Sequence, residues 1–142
     1  SIEKKPGKIA QRLVLSALRA FLQSRSQIKV VRNDTVGLKP PYLILANHVT
    51  NWDPFYINCY VDEPISFVTG ASLFRNTLLA KLLNYTGAIP KMKNKNDTRT
   101  IRSMIKAKQS GRVIGLFPEG TTSDGRDVLP FHAGLFEPAR RA

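Results

Sequence analysis

Tyr42-Leu-Ile-Leu-Ala-Asn-His48-Val-Thr-Asn-Trp-Asp53-Pro54 decides how this chain is read, because an apolar run short enough for a buried strand gives way to a polar loop and then to a helix start. Within the loop, His48 and Asp53 pair a candidate base with a candidate orienting carboxylate. An imidazole titrates near neutrality, and a carboxylate accepting from one ring nitrogen leaves the other to remove a proton, with a hydroxyl as the expected source. Asp53 followed by Pro54 also fits a helix N-cap with proline in the first turn. The two roles are compatible, since a carboxylate has two oxygens.

The same arrangement returns further along. Val113-Ile-Gly-Leu-Phe117 is a second apolar run, and Pro118-Glu-Gly-Thr-Thr-Ser123 a second polar loop. If the two runs are parallel strands of one sheet, both loops leave its carboxyl edge, where open α/β sheets put their ligands. Glu119 and His48 would then share a cleft. The plainer reading of Glu119 to Ser123 is a loop closed by side-chain to backbone hydrogen bonds.

Outward from these motifs the order alternates. Ile9, Leu13, Val14, Ala17, Leu18, Phe21 and Leu22 recur at helical spacing, with Arg12, Ser16, Arg19 and Gln23 on the other face. Ile28 to Val31 reads as a short strand, Pro54 to about Val61 as a helix, Ile65 to Thr69 as a strand, and Ser72 to Asn84 as a helix ended near Gly87. Asn96 or Asp97 is expected to cap a helix carrying Ile101, Met104 and Ile105, closed by Gly111. Strands alternating with helices imply an α/β fold: a mixed, largely parallel sheet flanked by helices, with an N-terminal amphipathic helix. The expected division is 1–27 for that helical region and 28–142 for the α/β domain.

At 142 residues the chain is long enough for one core, and no stretch approaches the ~18 consecutive apolar residues of a membrane span. No signal-peptide pattern is visible, because Arg12 and Arg19 interrupt the apolar stretch near the start. A start at Ser1 and an abrupt end after Ala142 lead us to expect a larger protein continuing at both ends, with room for a membrane anchor. The single cysteine, Cys59, excludes an internal disulfide and reads as a small core residue rather than a nucleophile. The net charge of +12 is concentrated in residues 75 to 112, where Arg75, Lys81, Lys91, Lys93, Lys95, Arg99, Arg102, Lys106, Lys108 and Arg112 are opposed only by Asp97. Such a field attracts phosphates, whether of anionic lipids, coenzyme A or nucleic acid.

Asn47-His48-Val-Thr-Asn-Trp-Asp53-Pro54 together with Phe117-Pro118-Glu119-Gly120-Thr121 resembles the glycerophospholipid acyltransferase family, whose members acylate glycerol 3-phosphate or 1-acylglycerol 3-phosphate. Between the two motifs, Gly87-Ala-Ile-Pro-Lys91 is similar to the family's middle block, and Pro130-Phe-His-Ala-Gly134 to the segment after the Glu-Gly motif. The similarity covers most of residues 28 to 138. Lysine stands at 91 and 93 where the family usually has arginine, and the chain ends before the family's fourth block, a Val-Pro-rich strand. The resemblance implies acyl transfer from an acyl thioester, acyl-CoA or acyl-ACP, to a hydroxyl of a lysophospholipid, with 1-acylglycerol 3-phosphate giving phosphatidic acid as the leading case. It implies His48 and Asp53 as the catalytic pair, Glu119, Gly120 and Thr121 at the acceptor site, and Lys91 and Lys93 as phosphate clamps.

A thioester is already activated, so transfer needs a base but no covalent enzyme intermediate, and the chain has no Gly-x-Ser-x-Gly elbow. No cofactor and no metal are expected: with two histidines and no cysteine or carboxylate cluster beside His132, a zinc site is poorly supported. Expected partners are the acyl thioester, the lysophospholipid acceptor, an anionic membrane surface and acyl carrier protein as one donor form, but not nucleic acid. The expected location is the cytoplasmic side of a membrane. The competing class is a basic, noncatalytic module bound to a membrane surface or to nucleic acid, which acceptor-dependent thiol release would distinguish.

Overall fold

A computed structural model describes residues 7–92 and 98–130. Four strands, β1 (Leu43–Leu45), β2 (Ile65–Gly70), β3 (Ile89–Lys91) and β4 (Val113–Leu116), form one sheet in the order β1-β4-β2-β3. Every pairing in it is parallel. Helices α1 (Lys8–Arg25), α2 (Asp53–Tyr60), α3 (Thr77–Thr86) and α4 (Thr98–Gln109) alternate with the strands. The last strand enters between β1 and β2, which sets the His48 loop beside the Glu119 loop at the carboxyl edge.

Helices cover both faces of this sheet, and the strand sequences show it. Residues Ile65 to Thr69 of β2 are all buried, as a continuous run must be when neither face meets water. One face packs Val68, Ile114 and Leu116 with Ile89 and with Met104 and Ala107 of α4. The other packs Ile65, Phe67 and Val113 with Ile44, Ile57, Val61 and Phe117. Outside that layer Leu22 of α1 joins Phe55, Cys59 and Leu83, so α1 lies on α2 and α3. Among the described residues no helix is long and apolar enough to cross a membrane.

Several elements differ from the sequence reading. Ile28 to Val31 is not a strand. A period of two would bury Ile28 and Val30 together, but Ile28 packs into the core while Val30 and Val31 are 47% and 87% exposed. In its place stands β3, to which the sequence analysis assigned no strand; Pro90 lies at its centre. As the outermost strand among the described residues, β3 loses nothing by lacking that donor on its outer side. The helix expected over 72 to 84 is broken in two: a 3-10 turn, Ala71–Arg75, precedes α3, and the Asn76 side chain caps α3 by accepting from the Leu78 and Leu79 amides. The caps expected at Asn96 or Asp97, and everything after Pro130, lie outside the described residues.

Arg112 leaves the basic surface to which its sequence position assigned it. Its guanidinium donates to the Ser66 hydroxyl (2.7 Å), the Thr86 carbonyl (3.2 Å) and the Gln11 side-chain oxygen (3.5 Å). It ties α1, β2 and the end of α3 together at the sheet edge opposite the site. Burial pushes its pKa below the ordinary arginine value.

Candidate active site

Asp53 is not the helix cap that its Pro54 neighbour led us to expect. It is the first residue of α2, the cap position falls on Trp52 without a side-chain bond, and the Asp53 carboxylate turns back toward the loop. Its Oδ2 accepts from the Val49 amide (2.7 Å), the Thr50 amide (2.9 Å) and His48 Nδ1 (2.9 Å), while Oδ1 accepts from the Thr50 hydroxyl (3.1 Å). Burial raises the pKa of this carboxyl, but the amides of Thr50 and Val49, the His48 ring and the Thr50 hydroxyl outweigh it and hold it below the usual carboxylate range. An ionised carboxylate only accepts, so Nδ1 carries the hydrogen, and in the neutral ring Nε2 then presents a lone pair. Among the described residues none bonds to Nε2.

The β4 loop holds His48 from the other side. Glu119 is only 2% exposed; its Oε1 accepts from the His48 amide (3.3 Å) and its Oε2 from the Leu129 amide (3.2 Å). The Ser123 amide donates to the His48 carbonyl at 2.7 Å. Both backbone groups of His48 are thus gripped by the segment that follows β4. The His48 ring lies on Phe117, with centroids 4.1 Å apart and planes 20° from parallel. Sequence reading brought Glu119 to His48 through the shared sheet edge, but it missed Phe117 and Ser123. A signal for Phe117 existed: it ends an apolar run directly before the Pro-Glu-Gly turn.

The remaining expected residues spread along the same edge. Gly120 closes the turn after β4 through its amide to the Phe117 carbonyl (3.0 Å), with φ at +72°, and Thr121 beside it is exposed. Lys91 ends β3 and pairs with Gly70, so it lies at the carboxyl edge three strands from His48. At ~4.8 Å per strand that is about 14 Å of sheet. Lys93 and His132 lie outside the described residues. Cys59 is buried against the Leu15 carbonyl, and desolvation raises its thiol pKa, as an inert core thiol requires. No group of three or more His, Cys, Asp or Glu side chains suited to a metal occurs among the described residues.

A carboxylate-oriented histidine with a free Nε2 at the mouth of a parallel sheet can deprotonate a hydroxyl. A family model described as Acyltransferase matches residues 27–142. The chain is 33% identical over 101 residues to a 1-acyl-sn-glycerol-3-phosphate acyltransferase of Neisseria gonorrhoeae, covering 68% of this chain and 38% of that protein. It is 34% identical over 101 residues to the protein of the same name in Escherichia coli K12, covering 68% and 41%. A lyso-ornithine lipid O-acyltransferase of Pseudomonas aeruginosa is 29% identical over 105 residues, covering 73% and 40%. The chain spans about two-fifths of the length of these curated relatives. No solved structure matches it significantly.

Proposed function

This chain belongs to the acyltransferase family, and from that premise we propose that it moves a fatty acyl group from an acyl thioester to a hydroxyl of a lysophospholipid, with 1-acylglycerol 3-phosphate as the acceptor. The observation that carries the proposal is the 2.9 Å contact between His48 Nδ1 and Asp53 Oδ2, which leaves Nε2 unbonded among the described residues. Nε2 takes the acceptor's hydroxyl proton as the oxygen attacks the thioester carbonyl carbon. Asp53 holds the tautomer and stabilises the imidazolium. The tetrahedral adduct then collapses: the C–S bond breaks, the thiolate takes the proton back from His48, and the products are an ester and a free thiol. No cofactor is needed, because the thioester supplies the activation. Coenzyme A and acyl carrier protein both present such a thioester, and the step is the same for either.

Glu119 acts in this scheme through the His48 backbone, since both its oxygens accept amides. Gly120 and Thr121 border the acceptor, and Lys91 and Lys93 attract its phosphate as point charges. With Lys91 at the far edge, the acceptor lies along the carboxyl edge across β4 and β2.

The substrates are lipids, and α1 supplies a face for their source. Leu15 and Leu22 point inward, whereas Ile9, Leu13 and Phe21 are 78%, 68% and 52% exposed on the outer face. Arg12, Arg19 and Arg25 share this helix, which has no acidic residue. An anionic bilayer on the cytoplasmic side complements both features. The test is release of free thiol from acyl-CoA and acyl-ACP against a panel of acceptors. Release that requires 1-acylglycerol 3-phosphate supports the proposal, and release indifferent to any acceptor overturns it.

A further inference from the structure

A single hydrogen bond at Nδ1 fixes one point of the His48 ring but not its plane, and a tilt about that point swings Nε2 on the far side. The plane is set by Phe117, 4.1 Å away, which in turn lies on Phe67 with centroids 5.0 Å apart and planes 14° from parallel. Phe67 is 1% exposed and packs with Ile65 and Val113, so the bottom ring of the stack is enclosed by the core. The register of β2 and β4 puts Phe67 opposite Gly115. There a Cβ would overlap Cδ1 and Cε1 of the Phe67 ring, so the ring lies across a strand that has no side chain at that point. Gly115 is required for space.

The geometry points to Phe117 as a positioning residue for His48, kept level by Phe67 over Gly115. The inference rests on the reading of His48 as the base. Besides fixing direction, the electron-rich face of Phe117 favours the positive charge that His48 acquires on taking the proton. An aliphatic side chain of similar size fills the space but supplies neither a flat surface nor a π face.

The test uses the full chain with Phe117→Leu, Phe117→Tyr and Gly115→Ala, and two readouts. The first is the proton spectrum of the His48 ring, assigned against His48→Ala because the chain has two histidines. Ring current from Phe117 displaces these protons upfield in the parent and in Phe117→Tyr. They move toward free imidazole in Phe117→Leu, and in Gly115→Ala although residue 115 is two steps removed. The second readout is turnover: Phe117→Leu loses about tenfold or more in kcat with KM within about twofold, and Phe117→Tyr keeps the parental kcat. Parental kcat in Phe117→Leu overturns the inference, as does a parent whose His48 protons show no upfield displacement. Full turnover in His48→Ala overturns the base reading instead, and the ring-proton displacement still decides the geometry independently.

Discussion

Asp53 uses both carboxylate oxygens on the loop that carries His48, whereas Glu119 accepts from the His48 amide with one oxygen and from the Leu129 amide with the other. Asp53→Asn keeps the size but not the charge, so turnover should fall about a hundredfold or more. Its stability effect has a definite sign. The folded carboxyl has a lowered pKa, so its contribution is fully present above the unfolded value near ~4 and disappears as pH falls through the folded one. Thermal melts should therefore separate parent and Asp53→Asn at pH 7 and converge as the pH drops below the ordinary carboxylate range. Glu119→Gln offers one acceptor to two amides, and its own NH2 then faces a second donor; we expect a loss of about 1–3 kcal/mol in denaturant unfolding together with slower turnover. The His48–Asp53 partnership was legible in the sequence because only four residues of one loop separate the two. The direction of the Asp53 carboxylate was not, since Asp-Pro before an apolar run is the same string whether the side chain caps forward or reaches back.

At the level of elements, what escaped the sequence depended on neighbours. β3 is three residues long with proline at its centre, and only its place at the sheet edge makes it a strand. Ile28 to Val31 has the opposite fate, having strand-forming residues and no described ladder partner. Asn76 sits inside what looks like one long apolar helix, yet it caps α3, and the turn before it redirects the chain. Asn76→Ala should cost about 0.5–2 kcal/mol by denaturant unfolding, because two α3 amides lose their acceptor. Turnover of the folded variant should be unchanged, since α3 contributes nothing to the loops that hold His48. The buried strands β2 and β4 and the polar loop after β1 were readable, because apolar runs bounded by polar loops look the same whatever packs on them.

Taken whole, the described residues put the exposed apolar side chains of α1 on a different element from the His48 loop. The His48 loop is set by sheet order, and the exposed Leu13 and Phe21 of α1 lie on a helix that packs outside α2 and α3. Leu13→Glu and Phe21→Glu should each weaken binding to vesicles containing anionic lipid by about tenfold, as expected from losing a buried apolar side chain, with melting temperature unchanged. Neither substitution should alter turnover of a soluble short-chain acceptor. In the proposed mechanism one histidine, oriented by Asp53 and held by the β4 loop, removes the acceptor's proton. The most direct test of that step is acceptor-dependent thiol release by His48→Ala in a variant whose unfolding transition matches the parent's. Turnover should fall by about a hundredfold or more with the fold retained. Parental turnover in that folded variant would contradict it.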